Sequence, residues 1–253
     1  LKSFKIEELE EAMNANQMIQ IIPTLKVNNR KLNEKFYIET LGMKPLLEES
    51  AFLSLGDQTG VERLILEEAP SMRTRRVEGL KKLARLLVKV ENPSEIEVLL
   101  SQTKSLPRLF KGSRGYAFEI VSPEQDVILV HAENHMEDLI PLETVPEFSS
   151  NTSIKYLSQF EISMELRLPE GTESILAPEK VGTVITFTQG EGPDLAVENN
   201  VTWDLSMLKF LVKDLDLTSL CQKFEGTDYF IPKSEKFFLG KDTNNIELWF
   251  EEA

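Results

Sequence analysis

The only two histidines of the chain, His131 and His135, lie four residues apart in the segment HAENH. On a helix this spacing would place both imidazoles on one face, as in the HExxH motif of zinc metalloproteases. That motif needs a glutamate directly after the first histidine as general base, and Ala132 stands there instead. Since His131 also ends an apolar strand beside a polar segment, we expect two solvated histidines without a metal or catalytic role.

Other protease nucleophiles are equally hard to find. Cys221 is the only cysteine, which excludes an internal disulfide and a thiolate metal cluster. It falls on the apolar face of a predicted helix, so we expect an inert buried thiol. The chain has no GxSxG serine elbow, and the string nearest to the aspartic protease motif is DQTG at 57–60. A triad assembled from distant residues stays open, and the catalytic residues are unknown.

A basic segment interrupts an otherwise acidic chain. It holds seven basic residues against one acid, Glu78, and these are Arg73, Arg75, Arg76, Lys81, Lys82, Arg85 and Lys89. The plain interpretation is a solvated loop that balances nearby acids. The alternative is a site for an anion or an acidic partner, with Arg85 pointing into a cup. The candidate binding residues are Arg73, Arg75, Arg76, Arg85 and Glu247.

Glu247 lies in a terminal segment, KFFLGKDTNNIELWF at 236–250, which predicts two strands around a polar turn. An earlier segment, YAFEIVSPEQDVILV at 116–130, has the same pattern. We match Leu129 there to Glu247. We expect Glu247 to be a rim acid of an edge strand, and contact with a substrate is the alternative.

The elements that must position these residues follow one order: a strand, a helix and several short strands. We predict strands at 18–27, 44–48, 51–55, 62–67, 83–90, 160–168, 181–187, 195–197 and 203–212. A first helix is capped by Asn28 or Asn29 and stops at Gly42, a second opens at Asn92, and a third carries Cys221. The segments 86–92 and 208–214 align without a gap, which indicates a repeat.

This pattern predicts an α+β protein with two tandem domains built from βαβββ units, the second one shortened. We assign residues 1–12 to a leader or linker, 13–135 to the first domain, 136–156 to an acidic linker and 157–253 to the second domain.

Composition limits the partners. The formal charge of −14 in 253 residues disfavours nucleic acid and anionic lipid, because an acidic surface releases no counterions from them. No apolar run reaches the length of a membrane span, and the acids in LKSFKIEELEEAM do not suit a signal peptide. We expect a cytoplasmic protein, which would reach the outside only by non-classical export or lysis.

Two motifs resemble a known superfamily. FYIETLG at 36–42 is similar to the FYxxxLG helix of the vicinal oxygen chelate, or glyoxalase/dioxygenase, superfamily, and DTNNIELWF is similar to its closing hairpin. More closely, PTLKVNNRKLNEKFYIETLG, WDLSMLKFLV and FIPKSEKFFLGKD resemble the streptococcal CppA family over nearly the whole chain from Met13. The resemblance implies two glyoxalase-like domains, and a hydrolase named for degrading the third component of complement.

In metal-using members of that superfamily, each cup holds an ion through histidine, glutamine and glutamate side chains. The matching positions are Ile22, Arg85 and Leu129 in the first domain and Ser163, Met207 and Glu247 in the second. One carboxylate among them is too few for a hard or borderline ion, so we predict no bound metal and no other cofactor.

Three functions remain. The first is a CppA-type complement-degrading proteinase of unidentified catalytic class. The second is a non-metal glyoxalase-fold module that binds a small molecule or a protein partner. The third, a metal-dependent lyase or dioxygenase, is disfavoured by the missing ligands. The sequence does not predict the oligomeric state.

Overall fold

The computed structural model describes residues 18–103, 107–144, 146–150, 152–176 and 184–253. The predicted leader, 1–12, and the first residues of the predicted strand at 181–187 lie outside these ranges. None of the helices in the described part of the chain is long and apolar enough to span a membrane.

The described residues form fourteen strands and three α-helices. The strands are β1 Met18–Val27, β2 Lys44–Glu49, β3 Phe52–Gly56, β4 Glu62–Glu68, β5 Leu83–Val90, β6 Arg108–Gly112, β7 Gly115–Val121, β8 Val127–His131, β9 Ile140–Pro141, β10 Phe160–Pro169, β11 Ile185–Gly190, β12 Leu205–Val212, β13 Phe237–Lys241 and β14 Glu247–Glu252. The helices are α1 Arg30–Lys35, continued by a π-helical turn Phe36–Thr40, α2 Ser94–Gln102 and α3 Leu217–Lys223. A 3-10 turn covers Met136–Asp138.

Two mixed seven-stranded sheets hold these strands, which confirms the α+β prediction. The first sheet has the order β13-β14-β12-β1-β4-β3-β2, and the second has the order β11-β10-β5-β8-β7-β6-β9. In the first sheet the antiparallel pair of β1 with β12, and in the second that of β10 with β5, joins strands from the first half of the chain to strands from the second half. Each sheet therefore takes strands from both halves of the chain.

This exchange has a physical reason. Among the described residues, the unit that begins the second half contributes only β10 and β11 to a sheet. Alone, these two strands would leave exposed hydrogen-bonding edges on a pair too small to be stable. Pairing β10 with β5 satisfies one such edge, and pairing β1 with β12 does the same in the other sheet.

The first helix begins and ends where the sequence predicts. Asn29 caps it, its side chain accepting a hydrogen bond from the backbone N–H of Leu32 at 3.0 Å. It ends before Gly42, whose φ of +68° favours glycine. Its buried face carries Asn33, Tyr37 and Leu41, four residues apart, whereas Leu32 lies off this face and is 54% exposed.

One continuous apolar core packs the helices against one face of both sheets, and it includes Tyr37, Leu99, Phe160, Phe210 and Phe224. A second, smaller cluster lies on the other face of the second sheet. The predicted strand at 195–197 is wrong: these residues form a turn, because Asp194 carries hydrogen bonds that bend the chain there.

Candidate functional site

A cavity of about 700 Å³ lies along β10. Its walls come from β1, β4, β5, β8, β10 and β11 and from the segment that follows β8. Aliphatic side chains form part of the wall, including those of Ile19, Leu87 and Val184. Charged and polar side chains from the neighbouring strands form the rest, so the cavity has the mixed lining typical of small-molecule sites.

A row of three polar residues crosses the cavity on adjacent strands. Glu161 of β10 pairs in register with Lys89 of β5, and Lys89 pairs in register with His131 of β8. All three line the cavity. Because cross-strand partners point to the same side of a sheet, the row presents a carboxylate, an ammonium group and an imidazole side by side.

His131 is buried, with 4% of its surface exposed. Its Nδ1 has no hydrogen-bond partner among the described residues. Burial, and then the positive charge of Lys89, lower the pKa of His131 to about 4, although Glu133 opposes the shift. The imidazole is therefore neutral near pH 7, and the expectation of a solvated His131 is wrong because the cavity wall encloses the ring.

His135 does not share a helix face with His131. It follows the end of β8 in extended conformation and is exposed, with its Nδ1 3.9 Å from Glu137. The two histidines therefore cannot act together as the sequence spacing on a helix would allow.

The other charges near the cavity are already balanced. Arg85 binds Glu165 through Nη2–Oε1 and Nε–Oε2 distances of 2.9 and 3.1 Å, and its Nη1 lies 3.7 Å from Glu119. Arg85 therefore points to acids of its own sheet. Its predicted part in an anion site would require it to leave Glu165.

The superfamily's metal positions are divided between the two sheets. Ile22, Met207 and Glu247 lie in the first sheet, whereas Arg85 and Ser163 lie in the second. In the described residues, no group of three or more histidines, cysteines, aspartates or glutamates is arranged to hold a metal ion. The residues at these positions do not fit the superfamily's metal ion, because each sheet lacks a set of oxygen and nitrogen donors.

The strand register corrects one match made from sequence. The strands β5 and β12 align in sequence, and they pair with β8 and β14, respectively. When these two strand pairs are matched residue by residue, Leu129 of β8 corresponds to Trp249 of β14. Glu247 corresponds to Val127, two residues earlier. A shift of two residues keeps a side chain on the same face, so the sequence pattern alone could not reveal it.

Glu247 lies on an interior strand, because β14 runs between β13 and β12. The expectation of an edge strand is therefore wrong. Its cross-strand neighbours are Met207 and Lys241, and the Lys241 ammonium binds Glu198 at 2.7 Å instead. Glu247 is half-buried.

The seven residues of the basic segment do not share one surface. Arg75 binds Asp194, Lys81 binds Asp126, and the buried Lys82 donates to the carbonyl oxygen of Val197 at 2.6 Å. Arg73 and Arg76 are exposed. That Arg73 and Arg76 bind an acidic partner stays a prediction, and Arg75 is engaged by the protein itself.

Cys221 is half-buried rather than fully buried. It packs against the main core from α3. Within the described ranges it has no hydrogen bond to a histidine, so no thiolate–imidazole pair forms there.

Comparison with known proteins identifies the family. The CppA N-terminal family model matches residues 20–143, and the CppA C-terminal model matches residues 157–250. The crystal structure of the cppA protein from Streptococcus pneumoniae TIGR4 is 67% identical, with a TM-score of 0.92, over 94% of this chain and 100% of that chain. The chain belongs to the CppA family. No curated protein matches this CppA-family chain.

More distant structures show the fold of this CppA-family chain. A V278E glyoxalase I mutant from Zea mays aligns with a TM-score of 0.57 and 11% identity over 98% of this chain and 96% of that chain. A putative dioxygenase from Bacillus subtilis aligns with a TM-score of 0.52 and 12% identity over 94% of this chain and 86% of that chain. The predicted glyoxalase-like, vicinal oxygen chelate fold is confirmed.

The sequence pattern did not predict that Lys89, Glu161 and His131 form one site. A signal was present: in FEISMELRL, Glu161, Ser163 and Glu165 alternate with buried apolar residues, which predicts one polar face. The pairing of that face with β5 and β8 joins residues far apart in sequence and needed the structure.

Proposed function

We propose that this CppA-family chain is a binding protein that holds a small organic molecule in the cavity along β10, without a metal ion. The observation that carries the proposal is the cavity of about 700 Å³, whose lining brings Glu161, Lys89 and His131 together on adjacent strands. A bound molecule with charged groups would pair with the carboxylate and the ammonium group of this row.

The size and lining of the cavity support the same function. Its volume falls within the range of about 300–1,000 Å³ that small-molecule sites occupy. Aliphatic walls from Ile21 and Val184 would remove an apolar group from water, and the polar groups of β5 and β10 would orient it.

A saturation-transfer NMR screen tests this function with a fragment library of amines, carboxylic acids and amino acids. The variant Ser163→Phe places a ring in the cavity, because Ser163 lines it. The matched control Ser71→Phe makes the same change at an exposed turn. We expect hits that bind the unmodified protein and Ser71→Phe but not Ser163→Phe. Equal binding to both variants, or no hits at all, would reject the cavity as a binding site.

The proteinase activity that the family name implies is a finer proposal. A serine or cysteine proteinase would require a nucleophile in contact with a base, and in the described residues neither histidine hydrogen-bonds to a serine or a cysteine. The test incubates purified protein with the third component of complement and class-specific inhibitors. Cleavage that is lost in His131→Leu would support an intrinsic proteinase. Cleavage that persists in His131→Leu would indicate a contaminant.

A further inference from the structure

The polar groups that line the cavity divide into those already bound and those left free. Three charged residues are bound by the protein, and the contacts are Glu165 to Arg85, Arg63 to Asp57 at 3.2 Å, and Glu133 to Ser113 Oγ and the N–H of Arg114 at 2.6 Å each. The charge of each of these groups is already paired or hydrogen-bonded within the protein, so it is less available to a charged ligand.

Three of the lining side chains are free or nearly so within the described part of the chain. No described residue forms a hydrogen bond or ion pair with the side chain of Glu161 or Ser163. Lys89 uses one of its three N–H groups, donating to Asn134 Oδ1 at 2.9 Å. These groups form one patch, since Ser163 follows Glu161 by two residues on the same face of β10.

The free groups carry opposite charges at short range. Glu161 and Lys89 are direct cross-strand partners, so their Cβ atoms lie about 5 Å apart. They nevertheless form no ion pair with each other, as Lys89 turns to Asn134. One wall of the cavity thus presents a free carboxylate beside an ammonium group with two unused donors.

We propose that the cavity binds a free α-amino acid with a large apolar side chain, its ammonium group on Glu161 and its carboxylate on Lys89. This rests on the proposed function, in which the cavity holds a small molecule. An α-amino acid carries both charges on one carbon, which matches two opposite charges on neighbouring strands. Its side chain lies against Ile19, Ile21 and Val184, which line the cavity.

Other ligand classes fit less well. A monoanion would meet Lys89 but would bring its charge beside Glu161, and a monocation would do the reverse beside Lys89. A neutral apolar molecule would leave both charged groups without partners, at a desolvation cost. The zwitterion satisfies both charges at once and leaves the hydroxyl group of Ser163 to fix its orientation.

The experiment measures dissociation constants by isothermal titration calorimetry for L-leucine, L-methionine and L-phenylalanine. Each is compared with its N-acetyl derivative, which lacks the positive charge, and its amide, which lacks the negative charge. Because a hydrogen bond to a charged group is stronger than a neutral one, each derivative should bind at least about tenfold more weakly. This series on the unmodified protein requires no variant to fold.

Two variants test which residue binds the ammonium group of the ligand and which binds its carboxylate. Glu161→Gln should remove the preference for the free ammonium group, and Lys89→Met should remove the preference for the free carboxylate. The matched controls, Glu97→Gln and Lys31→Met, change exposed residues outside the cavity and should keep both preferences.

The outcomes separate this inference from the proposed function. Derivatives that bind as tightly as the free amino acids, or variants that keep both preferences, would overturn the zwitterion assignment. Fragment hits that Ser163→Phe abolishes, together with no binding of any amino acid, would overturn it as well while the cavity remains a binding site. The absence of all ligands would reject both.

Discussion

Arg75 donates two hydrogen bonds to Asp194, with Nη1–Oδ2 and Nη2–Oδ1 distances of 2.7 and 2.6 Å. Asp194 also accepts from the backbone N–H of Glu78 at 2.6 Å. The two segments are 119 positions apart in sequence, so this pair fastens the basic segment of the first half to the turn before β12. Arg75, a predicted partner-binding residue, therefore pairs with an acid of the protein itself.

We predict that Asp194→Asn lowers the free energy of unfolding at pH 7. We also expect the variant to lose less stability than the unmodified protein when the pH is lowered. The hydrogen bonds from Arg75 lower the pKa of Asp194 below its ordinary value. A carboxyl group whose pKa is lower in the folded than in the unfolded state, where it is about 3.9, stabilises the fold at pH values above the unfolded pKa. This stabilisation is lost as the pH falls through the folded pKa. Urea unfolding at pH 7, 5 and 3 measures the effect.

The control for this prediction is Asp228→Asn, which changes an exposed aspartate with no partner among the described residues. It should leave the unfolding midpoint nearly unchanged at each pH. If both variants behave alike, the ion pair does not stabilise the fold.

The fold was largely predictable because its signals are local. The cap at Asn29, the stop at Gly42 and the hairpins around β8 and β14 each depend on residues within a short window. The division of strands between the sheets was not predictable in this way. It depends on which edges pair, and the pairing of β1 with β12 joins residues more than 180 positions apart, such as Ser206 and Thr24.

The candidate site was harder to predict for the same reason. Ser163 was named for its place in the superfamily pattern, and the structure indeed places it in the cavity wall. Lys89 was counted with the basic segment, although its side chain faces the cavity beside His131. Burial of a single imidazole has no sequence signature, because a strand-end histidine suits a solvated position equally well.

We predict a second pH dependence, carried by His131. In the unfolded chain its pKa is about 6.5, and burial lowers the folded pKa to about 4. Between these values the unfolded state binds more protons, so stability is complete above about pH 6.5 and falls as the pH drops towards 4, by on the order of 3 kcal/mol. His131→Leu should abolish this slope in urea unfolding between pH 7 and pH 4.

His135→Leu is the matched control, because His135 is exposed in the same segment. It should keep the slope of the unmodified protein. A slope that survives in His131→Leu would assign the pH dependence to other groups, such as the carboxylates.

The segment after β8 closes part of the second sheet. Met136 and Leu139 pack against Leu87, Phe110 and Leu129 on the cavity face. We predict that Leu139→Ala lowers the free energy of unfolding by about 1–2 kcal/mol, less than for a fully buried leucine, because Leu139 is half-buried.

Its control is Leu32→Ala, since Leu32 is 54% exposed on α1. That variant should lower stability by less than half as much in the same urea titration. Equal losses would show that the segment does not act as a cover for the sheet.

We predict that metal ions do not bind stoichiometrically at the superfamily's positions. Glu247 is the only carboxylate among those carried over, and neither Met207 beside it nor Ile22 in the same sheet is a suitable ligand for zinc, iron or manganese. Elemental analysis after dialysis against each ion should give far less than one ion per chain, both for the unmodified protein and for Glu247→Gln. One bound ion that Glu247→Gln removes would contradict the prediction.

The exposed arginines allow a test of partner binding that leaves the fold intact. Arg73 and Arg76 are exposed, so replacing both by serine keeps the Arg75–Asp194 pair. If the third component of complement binds this segment through acidic groups, Arg73→Ser/Arg76→Ser should weaken surface-plasmon-resonance binding and reduce its salt dependence. Lys31→Ser/Lys35→Ser on α1 removes the same charge elsewhere. Equal weakening by both pairs would mean that overall charge, not this segment, governs the association.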